Sequence, residues 1–123
     1  MSVIDVDQVA CGGFGLSDEL SPLVSDFHHH QKHQILYAVA GVMHLEVVGA
    51  SWMLPPRRAA FLTAGTEHRI RCERRVSLRT VYLCREWTPP VDWDCRVFTV
   101  SPLLRELLLS AMRWDAACSP TEP

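Results

Sequence analysis

Residues 35–40 read I-L-Y-A-V-A, and this unbroken apolar run constrains the fold more than any other stretch of the chain. A β-strand with one wet face alternates apolar and polar side chains, so an uninterrupted run of β-formers implies a strand covered on both faces. The run therefore belongs in the middle of the fold. Directly before it stands H-H-H-Q-K-H-Q, residues 28–34, which places four histidines and two glutamines at the mouth of a buried strand. Side chains able to bind a metal or a polar ligand thus meet the edge of the core.

The rest of the chain reads as short strands punctuated by Gly and Pro. Residues 1–21 carry Gly12, Gly13 and Gly15 and show no sustained period, which predicts a short edge strand at most, followed by loop. Residues 22–27 are a candidate strand with Leu23, Ser25 and Phe27 on one face. After Gly41, V-M-H-L-E-V-V alternates, with Met43, Leu45 and Val47 on one face and His44 and Glu46 on a wet one. Gly49-Ala50 offers a type II′ turn into the return strand S-W-M-L. Pro55-Pro56 interrupts pairing, and strands resume over residues 59–63, 67–72, 78–83 and 95–100. Within 67–72, His68, Ile70 and Cys72 share one face, and Glu67, Arg69 and Arg71 the other.

Only then does the period change. Ser101-Pro102 supplies an N-cap and a proline at the first helical position, and Leu104, Leu107, Leu108, Ala111 and Met112 recur at helical spacing. A helix is expected over about residues 102–116, followed by a loose tail, C-S-P-T-E-P. Many short strands and one terminal helix predict a single mainly β domain over residues 1–123, a sandwich or small barrel with its strands within about residues 22–100.

Composition excludes several functional classes. Hydrophobic residues make up 48% of the 123 and charged ones 21%, enough for a real core. The formal charge of −2 gives no basic field, so direct contact of this domain with nucleic acid is not expected. No apolar run reaches the length of a membrane span, and the start M-S-V-I-D-V-D lacks the regions of an export signal, so a cytoplasmic location is expected. The five cysteines, Cys11, Cys72, Cys84, Cys95 and Cys118, form no C-x-x-C pair and read as reduced, mostly buried thiols.

His28 and His30 are two apart, which on a strand puts both imidazoles on one face. His68 stands just after the Ala64-Gly65-Thr66 turn, on a strand face that is otherwise apolar. His29 and His33 fall out of register and read as solvated; His44, in phase with Glu46, reads as surface. Arg57, Arg58, Arg69, Arg71, Arg74 and Arg75 read as a wet face.

The pattern H-x-H-x3-Q-x6-G from His28 to Gly41, followed by T-x-G-x2-H from Thr63 to His68, resembles the two motifs of the cupin superfamily. The resemblance implies a double-stranded β-barrel, or jelly roll, with a C-terminal helix, in which His28, His30, Gln34 and His68 bind a divalent metal. Leu36, Ala38, Ile70 and Cys72 are then expected to line the same pocket. The sequence departs from the usual cupin pattern where Gln34 replaces a glutamate, Thr63 a proline, Cys72 an asparagine and Arg57 a glycine. Three imidazoles and an amide carry no charge, so a bound ion keeps close to its full charge and welcomes an anionic guest. Such a donor set suits zinc, nickel, cobalt or ferrous iron. A metal-free polar pocket that hydrogen-bonds a small molecule is the alternative.

A closer resemblance covers about residues 28–115. H-Q-I-L-Y-A-V-A-G-V-M, W-M-L-P-P-R-R-A-A-F-L-T-A-G-T-E-H-R-I, L-R-T-V-Y-L and V-S-P-L-L-R-E-L-L-L are similar in wording and order to the N-terminal sensor domain of AraC/XylS-family transcription regulators. This implies a small-molecule effector or metal ion in the barrel, a homodimer formed through the terminal helix, and DNA reading by a helix-turn-helix domain outside this chain. A stand-alone metal-dependent cupin enzyme of the dioxygenase or isomerase type is the rival reading. No carboxylate falls convincingly beside the histidines to support it, since Glu67 points away from the face of His68.

Overall fold

A computed structural model describes Asp7 and residues 12–113. Nine strands among the described residues form two antiparallel sheets: β1 (Gly13–Leu20), β2 (Leu23–Val24), β3 (His33–Ala40), β4 (Met43–Val47), β5 (Ala50–Leu54), β6 (Arg58–Leu62), β7 (His68–Cys72), β8 (Val76–Leu83) and β9 (Cys95–Thr99). The five-stranded sheet has the order β1-β8-β3-β6-β9 and the four-stranded sheet the order β2-β7-β4-β5. This is the expected mainly β jelly roll. Helix α1 (Pro102–Ser110) follows, starting as expected with Ser101 Oγ accepting from the Leu104 N–H at 3.1 Å. No helix among the described residues is long and apolar enough to cross a membrane.

The double-sided burial expected of residues 35–40 has two distinct causes. Leu36 and Ala38 point between the sheets, into a core with Met43, Leu45, Leu54, Leu62 and Ile70. Tyr37, with Ile35 and Val39, points the other way, where Leu108, Ala111, Leu104 and Met112 of the terminal helical segment cover the sheet. Leu107, read as part of that stripe, instead faces outward with Leu103, at 57% and 71% exposure. The helix is also shorter than expected: α1 passes into a 3-10 turn at Ala111–Arg113, and residues 114–116 lie outside the described residues. The tail and the thiols of Cys11 and Cys118 lie outside them too, whereas Cys72, Cys84 and Cys95 are free thiols.

Three further readings need correction. The stretch around Gly13 and Gly15, expected as a short edge strand at most, is an eight-residue strand at the sheet edge, β1, so the strands begin at Gly13 rather than near residue 22. Its glycine has a packing role: a Cβ on Gly15 would stand 2.4 Å from Met112 Cε and 2.7 Å from the Ala111 carbonyl. The β4–β5 turn sits at Val48-Gly49, with positive φ at its second residue, which a type II′ turn does not have. His33, read as solvated, is buried, accepting from the Ala64 N–H at 3.0 Å through Nδ1 and donating from Nε2 to Thr88 Oγ1 at 2.9 Å.

Gly41, the last residue of the first motif, has φ of 87°, and a Cβ there would meet the Arg75 carbonyl at 2.5 Å. Gly49 has the same φ with nothing within 4 Å. Gly41→Ala is therefore expected to lower unfolding free energy by about 2 kcal/mol or more, and Gly49→Ala by about 1 kcal/mol. Urea titration of both variants checks this; equal losses would remove the steric component.

Candidate functional site

The histidine segment is zipped onto β7. Leu23 and Val24 pair with Cys72 and Arg71, the Ser25 N–H donates to the Ile70 carbonyl at 2.8 Å, and Ser25 Oγ accepts from the Ile70 N–H at 2.9 Å. His28 and His68 then exchange two backbone hydrogen bonds, each 2.9 Å. The His30 carbonyl accepts from the Gly65 N–H at 2.7 Å, so the second-motif turn is tied to the first motif through the backbone. This places the His28 and His68 rings 4.4 Å apart, with His30 5.5 Å from His28 and 6.4 Å from His68.

Two of these imidazoles have their tautomers fixed by the backbone. His68 Nδ1 lies 3.0 Å from the Thr66 carbonyl and His28 Nδ1 2.9 Å from the Asp26 carbonyl; a carbonyl only accepts, so each Nδ1 carries the proton and each Nε2 the lone pair. His68 is fully buried, and its Nε2 has no hydrogen-bond partner among the described residues. Burial, aided by repulsion from His28, His30 and His29, lowers the His68 pKa to about 4 against the opposing bond to Thr66.

A cavity of about 580 Å³ opens beside these rings, between β1, β2, β3, β7 and β8. Its apolar wall includes Leu16, Leu20, Leu23, Leu36, Ile70 and Leu78. Its polar lining comes from Asp18, Ser25, Asp26, His28, His30, Gln34, Thr80 and Tyr82. Of the residues expected from sequence, His28, His30, Gln34, Leu36 and Ile70 line it. His68 lies behind His28, and Ala38 and Cys72 belong to the apolar core. Gln34 stands opposite Tyr82, its cross-strand partner. Burial first, then the Asp18 charge, push the Tyr82 hydroxyl up to about 12.

Sequence reasoning missed Leu16, Asp18, Thr80 and Tyr82. The alternation L-x-D-x-L in residues 16–20 and L-x-T-x-Y in residues 78–82 carried the signal.

The donor set fits a metal only in part. The bond from Nδ1 to a carbonyl, with Nε2 left open, is the orientation that metal-binding imidazoles use, and His28 and His68 both have it. Yet among the described residues no three His, Cys, Asp or Glu side chains are grouped to hold an ion.

The buried neutral His68 makes the fold acid-sensitive in a defined window. Between about pH 6.5 and about pH 4 the unfolded chain takes up a proton that the native site refuses, so stability falls as pH falls, by up to about 3 kcal/mol. His33, whose pKa burial also lowers, adds in the same direction. His68→Gln is expected to flatten most of this slope in urea midpoints measured in EDTA; an unchanged slope would assign it elsewhere.

Residues 21–112 match the family model of the AraC-like ligand binding domain. The HTH-type transcriptional regulator NimR of Escherichia coli (strain K12) is 31% identical over 88 residues, which are 72% of this chain and 32% of NimR. The chain thus spans about a third of that relative's length. Among solved structures, ToxT from Vibrio cholerae superposes with a TM-score of 0.68 at 6% identity, over 85% of this chain and 48% of ToxT. A cupin-2 domain containing protein from Shewanella frigidimarina superposes with a TM-score of 0.54 at 10% identity, over 58% and 71% of the two chains. The jelly roll with its cavity, the family match across most of the chain and the likeness to NimR lead to one conclusion: the chain belongs to the AraC-like ligand-binding domains of transcription regulators.

Proposed function

We propose that this domain senses a small organic effector in the cavity between its sheets and passes that occupancy to a DNA-reading unit elsewhere in the regulator. The observation that carries this reading is a cavity of about 580 Å³ with an apolar wall and a polar mouth, a size and lining suited to a small amphipathic guest. Its location in a domain of the AraC-like family supports a sensing role. NimR, by its name, reads DNA with a helix-turn-helix unit, and the same output is proposed here.

Strand β1 supplies a route for the signal. Among the described residues it is an edge strand with β8 as its neighbour in the sheet, so one side of it lacks the restraint of a second ladder from them. Leu16, Asp18 and Leu20 face the cavity, while Gly15 meets Ala111 and Met112 on the opposite face. A guest that prefers one position of β1 therefore also selects one position of the helix end, which is the differential affinity that linkage requires. The outward Leu103 and Leu107 are proposed as the seam of a homodimer.

His28, His30, Gln34 and His68 remain the candidates to hold a divalent ion, and zinc, nickel, cobalt or iron would add a Lewis-acid charge to the mouth. The two Nε2 lone pairs support that reading, while the lack, among the described residues, of three grouped His, Cys, Asp or Glu side chains favours direct recognition of an organic guest.

Nile red, a neutral dye that brightens in apolar surroundings, tests the cavity. Leu16→Trp, at a half-buried position on its wall, is expected to weaken dye binding about tenfold or more while thermal melting stays cooperative. Undiminished binding would place the dye, and the proposed site, elsewhere. For the coupling, bound dye is expected to slow hydrogen exchange in β1 and at Ala111–Arg113 together. Protection confined to the sheets would disprove the route. Leu103→Glu with Leu107→Glu is expected to halve the mass measured by light scattering, a result that an already monomeric protein would overturn.

A further inference from the structure

The hydrogen-bonding and charge pattern of the cavity specifies more than an amphipathic guest. Two aspartates, Asp18 and Asp26, line it, and no Lys or Arg does. This is complete for the chain, because all twelve of its Lys and Arg lie between Lys32 and Arg113, within the described residues. A third carboxylate stands at the same mouth, with Asp7 Oδ1 3.8 Å from His30 Nδ1. The adjacent carboxylates of β1 are sorted by face: Glu19 points outward to Ser77, Arg75 and Arg79, while Asp18 lines the cavity.

The imidazoles add acceptors. His28 spends its Nδ1 proton on the Asp26 carbonyl, which leaves Nε2 as a lone-pair nitrogen, and His68 behind it is arranged the same way. Burial raises the Tyr82 pKa, and the Asp18 and Asp7 carboxylates add to it. An anionic head would meet carboxylates there with no Lys or Arg to offset them. A cationic head with N–H groups finds both its charge and its donors matched, and Tyr82 adds an aromatic ring to the same lining.

We propose that the effector is an amphipathic organic cation: an ammonium, amidinium or guanidinium group received by Asp18, Asp26 and His28, on an apolar body seated against Leu16, Leu20, Leu36 and Leu78. This rests on the cavity being the effector site, and it reverses the preference for anions that a resident metal would give.

Octylammonium, octanol and octanoate share one apolar body and differ in charge, and each can be titrated as a competitor of Nile red at about pH 7.5 in EDTA. Octylammonium is expected to displace the dye at about one tenth the concentration that octanol needs, and octanoate to need more than either. Asp18→Asn and Asp26→Asn are each expected to cut the advantage of octylammonium over octanol about threefold or more, with octanol unchanged. Asp26 is exposed, so its variant serves even where Asp18→Asn folds poorly. Octanoate binding as well as octylammonium, or an advantage that survives in every folded variant, overturns the charge assignment and leaves the cavity as effector site. Failure of all three to displace the dye overturns both.

Discussion

The two-sided burial of β3 is the constraint on which the rest of the structure depends. Its inward side chains require a second sheet, and its outward ones require the helix, so the three-layer arrangement of small sheet, large sheet and helix follows from a single strand. The core side of the same strand changes character along its length, from Ala38 and Leu36 to Gln34, and that change creates the polar end of the cavity. Register carries it across the sheet: Gln34 lies opposite Tyr82 and Leu36 opposite Thr80, while Leu16 lies beyond Thr80 on β1. The cavity wall is thus a set of cross-strand rows.

The polar end is maintained by backbone geometry. Carbonyls of Thr66 and Asp26 hold His68 and His28 in one tautomer, and the paired segment between Leu23 and His28 holds those carbonyls in place. An unpartnered buried nitrogen such as His68 Nε2 costs about 1–3 kcal/mol, a cost that the surrounding ladder sustains.

How far the sequence revealed this depended on whether period and chemistry coincided. The β3 run, the alternation around Met43 and Leu45, the Ser101 cap and the face shared by His68, Ile70 and Cys72 were all legible, because burial at period 2 or 3.6 leaves its mark in composition. Strand β1 was not, since two glycines that read as loop include one that makes room for a helix. With β1 expected as a short edge strand at most, Leu16 and Asp18 went unrecognised as lining of the cavity. His33 failed for a different reason: its partners are Ala64 and Thr88, from two loops far along the chain, and local register says nothing of them. The resemblance to cupins supplied His28, His30, Gln34 and His68 as a set, and the structure keeps them near one another without grouping them as ligands.

Strand order also bears on the time at which the cavity comes into being. Gly13, at the start of β1, faces Leu83 at the end of β8, so β1, the first strand among the described residues, waits for its β8 partner until almost the last of those strands has been made. Phe14, Leu16 and Leu20 must wait exposed through that interval, and pairing at such long sequence separation is slow to form. The β1 side of the cavity is therefore the late-closing part of the fold. A small molecule present while the chain is being made would meet a cavity still open on one side.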